Sequence, residues 1–168
     1  MANLKEIRIR IGSVSSTMQI TSAMKMVSAA KLKKAQDAIT AMRPYSNKLS
    51  ELMQSFSGAS AGGNKSYTEN RTLNKVLVVV ISSNRGLCGA FNANIAKEAL
   101  VFKSKEKFRD SQIDFLTIGK KINDTLSKTE TIIQNDSDVF EELNYENVGK
   151  IADELMDRFV SNDYDHIE

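Results

Sequence analysis

A single heptad register runs almost unbroken from Leu4 to Phe56, and it constrains the chain more than any other feature. With a at 4 and every seventh residue after it, the a and d positions read Leu4, Ile7, Ile11, Val14, Met18, Thr21, Lys25, Ser28, Leu32, Ala35, Ile39, Met42, Ser46, Leu49, Met53 and Phe56. Twelve of these sixteen are apolar. A seven-residue apolar repeat kept up this long must be held against a partner helix, because on a straight helix of 3.6 residues per turn the stripe would drift around the axis. The spacing predicts a helix roughly 80 Å long that pairs with another helix and extends beyond any compact domain attached to it.

The register breaks once, at Thr21, Lys25 and Ser28, where the apolar residues Ile20, Met24 and Val27 sit one position earlier. The break reads either as a local repacking of the same coiled coil or as a segment contacted by protein on several sides. Ala23, Ser28, Ala29 and Ala30 would let a neighbour approach closely, and Met24 and Met26 are flexible enough to fit changing surroundings. Gly12 costs about 1 kcal/mol relative to Ala in a helix interior, an amount the apolar turns on either side can carry. Pro44, at an outer f position, predicts a kink near Met42 to Tyr45, with the helix continuing to about Phe56. The expected organisation is a coiled-coil helix over 1–57, a linker over 58–74 containing SGASAGGNKS, and an α/β domain over 75–168.

Charge divides along the same boundary. Residues 1–56 carry nine Lys/Arg against three Asp/Glu, a net +6, and the rest fourteen against eighteen, a net −4. A basic helix on a mildly acidic body suits an anionic partner around the helix. The single cysteine, Cys88, excludes an internal disulfide framework, and the single histidine, His166, has no second His or Cys with which to build a structural zinc site. No run approaches the length of a membrane span, and Met1 to Arg10 lacks the apolar core of a signal peptide, so the expected setting is cytosolic unless a partner brings the chain to a membrane.

From Lys75 the pattern becomes that of a small parallel α/β sheet. KVLVVVIS is a β-branched run suited to a strand buried on both faces. The turn SNRGLCGAFN follows, then a helix over Ala93 to Phe108, a second strand IDFLTIG stopped by Gly119, a short helix from Lys121 to Leu126, a third strand TETIIQ, and an amphipathic helix from Tyr145 to Phe159. The polar SNDYDHIE supplies no further strand, so the sheet is expected to be incomplete at the C-terminus.

SNRGLCGAFN lies where a phosphate-binding loop would lie, between a buried strand and a helix N-terminus. Its glycines match neither G-x-G-x-x-G nor G-x-x-x-x-G-K-[ST], which favours a structural turn or a protein-contact loop over a nucleotide site. Cys88 has no base other than His166 to activate it, so it is not assigned as a nucleophile.

Two segments, ITSAMKMVSAAKLKKAQ (Ile20 to Gln36) and SNRGLCGAFN (Ser83 to Asn92), resemble the N-terminal signatures of the gamma subunit of F-type ATP synthases. The opening LKEIRIRI and the RPY at Arg43 to Tyr45 fit the same family. The resemblance implies a non-catalytic rotor-stalk subunit whose N-terminal helix pairs antiparallel with a C-terminal one and turns inside a ring of alpha and beta subunits. Proton translocation would thereby be coupled to ATP synthesis, with no cofactor and no nucleotide of its own. The implied partners are that ring, the epsilon subunit and the membrane rotor ring, at the cytoplasmic face of a bacterial inner membrane. The implied contact residues are Ile20, Met24, Lys25, Val27 and Lys31 on the helix and Arg85, Gly86, Leu87, Cys88 and Gly89 in the loop. Asn84 departs from the aspartate usual before the basic residue of that loop. Members of the family continue beyond the length of this chain, which resembles their N-terminal part. Two alternatives come from other classes: a small nucleotide-binding Rossmann-like enzyme with a helical dimerisation arm, and a basic coiled-coil adaptor for nucleic acid. The adaptor would need steep salt dependence, and the helix lacks the interleaved aromatics of a single-strand binder.

Overall fold

The computed structural model describes residues 3–59, 67 and 71–168, except for the side chains of 56–59. The chain divides into two units, Met1–Ala61 and Gly62–Glu168. The first is one helix, α1, Leu4–Ala59. It starts where the sequence offers a cap: the Asn3 side chain accepts from the Lys5 backbone N–H at 3.3 Å, and Glu6 places its charge in the first turn, where the helix dipole favours an anion. Pro44 lies inside the helix, which continues past it to Ala59. Of the expected linker over 58–74, the first two residues belong to α1, and 60–66 and 68–70 lie outside the described residues.

The apolar stripe of α1 is open to solvent from Leu4 to Met53. Ile7, the least exposed of its large side chains, still shows 43% of its surface. At the register break the Thr21 hydroxyl bonds back into the helix. Thr21 Oγ1 donates to the Thr17 carbonyl at 2.7 Å and Thr17 Oγ1 to the Ser13 carbonyl at 2.9 Å, so two hydroxyls are satisfied without leaving the helix surface.

The second unit is an α/β fold on a four-stranded, all-parallel sheet. Its strands are β1 (Lys75–Ile81), β2 (Gln112–Ile118), β3 (Ile132–Asn135) and β4 (His166–Ile167), in the spatial order β3-β2-β1-β4. Alternation along the strands builds two cores. Val76, Val78 and Val80 of β1 join Ile113 and Phe115 of β2 on one face. Ala96, Ala99 and Phe102 of helix α2 (Phe91–Lys103) and Ile122 and Leu126 of helix α3 (Lys120–Leu126) cover them. On the other face Leu77 and Leu116 pack with Tyr164, flanked by Val79, Ile118, Ile167 and Leu155 of helix α4 (Tyr145–Val160). Each fully buried Leu or Phe on these faces contributes about 1.5–3 kcal/mol relative to an exposed position.

Two sequence expectations need correction. The helix after the glycine loop ends at Lys103, not at Phe108, because Lys105 turns extended and the chain re-enters a short 3-10 turn over Glu106–Phe108. That break lets Phe108 fold back on Phe102, their rings stacked at 4.6 Å, where one continuous helix would carry Phe108 past the core. The strand missing after α4 is present as β4, parallel to β1. Asn162, at φ 64, reverses the chain after α4. Backbone bonds then fix β4: Asp165 N–H to the Lys75 carbonyl at 2.9 Å, Glu168 N–H to Leu77 at 3.0 Å and Val79 N–H to Glu168 at 2.8 Å. The Asp165 carboxylate also accepts from the backbone N–H groups of Lys75 and Asn74, at 2.8 and 2.9 Å, and these bonds hold its carboxyl below the usual range. A two-residue strand held by main-chain and Asp contacts leaves no hydrophobic alternation for the sequence to display.

Candidate functional site

The loop between β1 and α2 sits at the C-terminal edge of the sheet, beside the turns that follow β2 and β3. Its base is fixed by short polar side chains. Ser83 Oγ lies 2.6 Å from the Arg85 carbonyl and 3.0 Å from Asn92 Oδ1, and its one hydrogen can serve either. Asn92, in the first turn of α2, accepts from the Ser83 backbone N–H at 3.2 Å and donates to Cys88 Sγ at 3.1 Å. Ser82 Oγ accepts from the Ile122 backbone N–H at 3.1 Å, tying the end of β1 to α3. Only glycine fits at Gly119: its φ is +128, and a Cβ there would lie 2.5 Å from the Ser82 carbonyl oxygen.

Above this base the loop opens to solvent. Leu87 has a left-handed backbone, φ 61, and its side chain is fully exposed. A leucine in that conformation carries about 1–2 kcal/mol of backbone strain, here spent on displaying an apolar group at a loop tip. Gly89 shares the positive φ, and at both Gly89 and Gly86 a Cβ would stand in open space, so close backbone approach is not what these glycines provide. Arg85 and Cys88 are exposed beside them. The five loop residues therefore form one surface with a cation at one end and an apolar tip. Arg85, Leu87 and Cys88 thus show their side chains to solvent. Among the described residues no group of three or more His, Cys, Asp or Glu is placed to hold a metal ion.

On α1, Ile20, Met24, Val27 and Lys31 are spaced four, three and four residues apart, which puts them on one face, all exposed. Lys25 is one residue beyond Met24, about 100° further around, so it shares the side of Thr21 and Ser28. The five expected helix residues thus occupy two adjacent faces. A groove of about 590 Å³ elsewhere in the α/β unit, lined by Arg71, Leu73, Leu155, Phe159 and His166 among others, contains none of the expected site residues. In it the Arg71 guanidinium stacks 4.3 Å above the Phe159 ring and donates to the Phe159 carbonyl at 2.6 Å.

Of the bracing residues Ser82, Asn92 and Gly119, the sequence marks Gly119 only as the stop of a strand, and it gives Ser82 and Asn92 no bracing role. Their signal was present in kind, as Ser, Asn and Gly clustered after each strand, but their partners lie in other turns that only the fold brings together.

Comparison with known proteins extends this geometry. The family described as ATP synthase matches residues 3–168. An ATP synthase gamma chain of Flavobacterium psychrophilum is 61% identical over 171 residues, and one of Flavobacterium johnsoniae is 58% identical over 169. Both alignments cover 100% of this chain and 58% of the relative. A gamma chain of Amoebophilus asiaticus is 43% identical over 173 residues, covering 59% of its own length. The chain thus spans about three-fifths of the relatives it matches, corresponding to their N-terminal part. With its long helix, its parallel α/β unit and a match along nearly all its residues, the chain belongs to the ATP synthase gamma-chain family.

Proposed function

We propose that the chain serves as the central rotor stalk of an F-type ATP synthase, turning inside a ring of alternating alpha and beta subunits and coupling proton translocation to ATP synthesis. The observation that supports this most directly is the apolar stripe of α1, open to solvent from Leu4 to Met53. It is a surface built to be covered, and a stalk helix paired with a second helix would cover it. In this reading the chain performs no covalent chemistry. It acts by presenting different faces to successive catalytic sites, and the energetic demand is definite. Shifting a site from 99:1 in one state to 99:1 in the other takes about 5.5 kcal/mol of differential contact energy.

Two surfaces supply that contact. On α1, Ile20, Met24, Lys25, Val27 and Lys31 offer apolar and cationic groups to the ring. The Arg85–Gly89 loop offers the guanidinium and the exposed Leu87 to an acidic, partly apolar surface of a ring subunit. The epsilon subunit and the membrane rotor ring are the remaining partners, which makes the chain peripheral to the cytoplasmic face of a bacterial inner membrane. Consistent with a peripheral place, no helix among the described residues is long and apolar enough to cross a membrane.

The test is purification of the tagged chain from cells, followed by cross-linking through Cys88, which is exposed. Co-purification with ATP-hydrolysing alpha and beta subunits is expected, and a photoactivatable maleimide on Cys88 should attach to one of them. A chain recovered free of the ring overturns the stalk reading. A ring recovered intact but never labelled from Cys88 overturns the loop contact.

A further inference from the structure

Asn84 joins three turns at the C-terminal edge of the sheet. Its Oδ1 accepts from the Lys120 backbone N–H at 2.9 Å, satisfying one of the free donors at the start of α3. Its Nδ2 donates to the Ser137 carbonyl at 2.9 Å, in the turn after β3. The two partners fix the amide's orientation, since a backbone N–H needs an acceptor and a carbonyl needs a donor. Ser137 is almost fully buried, and its Oγ in turn accepts from the Gly119 backbone N–H at 3.0 Å. A carboxylate in place of Asn84 could meet the first partner and not the second.

We infer that Asn84 is the positioning residue of the Arg85–Gly89 loop: its two-sided amide pins the loop to the turns after β2 and β3, so that the loop's exposed groups are presented from a fixed base. The clamp rests on the hydrogen bonds alone, and its consequence for partner contact rests on the stalk reading. The charged groups on the elements around Asn84 are Arg85 on its own loop, Lys120, Lys121 and Asp124 on α3, and Asp136, Asp138, Glu141 and Glu142 after β3. Lys120 Nζ lies 3.5 and 3.7 Å from the Asp138 and Glu141 carboxylates. A charge placed at position 84 therefore meets cations and anions together.

Amide hydrogen exchange on the whole chain, compared among wild type, Asn84→Ala and Asn84→Asp between pH 4.5 and 7.5, separates donor from acceptor. Asn84→Ala should lower protection of the Lys120 amide about tenfold, the scale of one lost hydrogen bond. Asn84→Asp should leave that amide protected and lower protection in Arg85–Gly89 at pH 7.5. As pH falls toward 4.5 that deficit should shrink, because a protonated carboxyl regains the donor to Ser137. Only the protonated carboxyl can donate to the Ser137 carbonyl, so the folded carboxyl should titrate above the unfolded one and its contribution should be lost as pH rises through that folded value. Unchanged Lys120 protection in Asn84→Ala, or a loop deficit in Asn84→Asp that does not respond to pH, overturns the clamp. Cross-linking yield from Cys88 in the assembled complex should fall severalfold in Asn84→Ala. A full yield with a loosened loop overturns the positioning role, whereas no cross-link from wild type in the assembled complex marks failure of the proposed loop contact instead.

Discussion

The α1 unit and the α/β unit solve the same problem of apolar surface in opposite ways. The α/β unit buries its β-branched strands on both faces beneath its own helices, and among the described residues no buried polar side-chain atom lacks a hydrogen-bond partner. The α1 unit leaves every large apolar residue of its stripe from Leu4 to Met53 substantially exposed. One unit has a buried core on each face of its sheet. The other has the sequence of a packed helix without the packing, so its stability must come from helix propensity and local pairs such as Lys48 with Glu51 until something covers it. A single chain thus carries a unit with its own buried core and a helix whose apolar stripe is open to solvent from Leu4 to Met53.

The sharpest way to break this comparison is to cut matching holes in the two units. Phe115, fully buried at the centre of the sheet, should cost about 3–5 kcal/mol as Phe115→Ala, read as a large fall in the melting temperature of the α/β unit. If that variant melted like wild type, the sheet would not be the self-contained core described above.

Much of this division was legible in the sequence. The heptad stripe, the β-branched run at Lys75 and the glycine stop at Gly119 each follow from a local period or from a single backbone requirement. What was not legible depends on partners distant in the chain. Strand β4 exists because Asp165 and Glu168 meet β1 some ninety residues away, and α2 stops short because Phe108 has a core position to reach. At the candidate site the exposed loop residues were named from motif resemblance. Their bracing by Asn84, Asn92 and Ser137 was invisible, because a polar side chain in a turn does not announce which other turn it will touch.

A smaller effect tests whether the α/β unit is as well satisfied as it looks. Tyr164 is buried, and its hydroxyl donates to Asp114 Oδ2 at 3.1 Å, the carboxylate also accepting from Gln112 Nε2 at 3.2 Å. Burial, reinforced by that bond to Asp114, pushes the Tyr164 phenol up to about 12. Tyr164→Phe should cost about 1–3 kcal/mol at neutral pH, since it leaves a buried carboxylate with one donor fewer. The pH dependence fixes the assignment. The phenol's ordinary value is near 10, so its contribution is complete below about pH 10 and lost as pH rises through the folded value near 12. Wild type and Tyr164→Phe should therefore converge in urea-unfolding midpoint between pH 9.5 and about 12, and a constant gap would show that the bond to Asp114 is not its source.

The smallest expected effect bears on the comparison most directly, because it should be small in one setting only. Ile39 belongs to the apolar stripe of α1, yet about half of its surface is exposed. In the chain alone, Ile39→Ala removes little packing and adds a better helix former, so helix content by circular dichroism should stay level or rise, with stability moving by less than about 0.5 kcal/mol. Within an assembled stalk the same side chain would be covered, and its removal should cost about 2–5 kcal/mol, read as weaker retention of the chain by the complex. A large loss of helix in the isolated chain would mean that α1 already draws on Ile39 for packing. An equally small effect in the assembly would mean that the stripe is not the surface the partner covers.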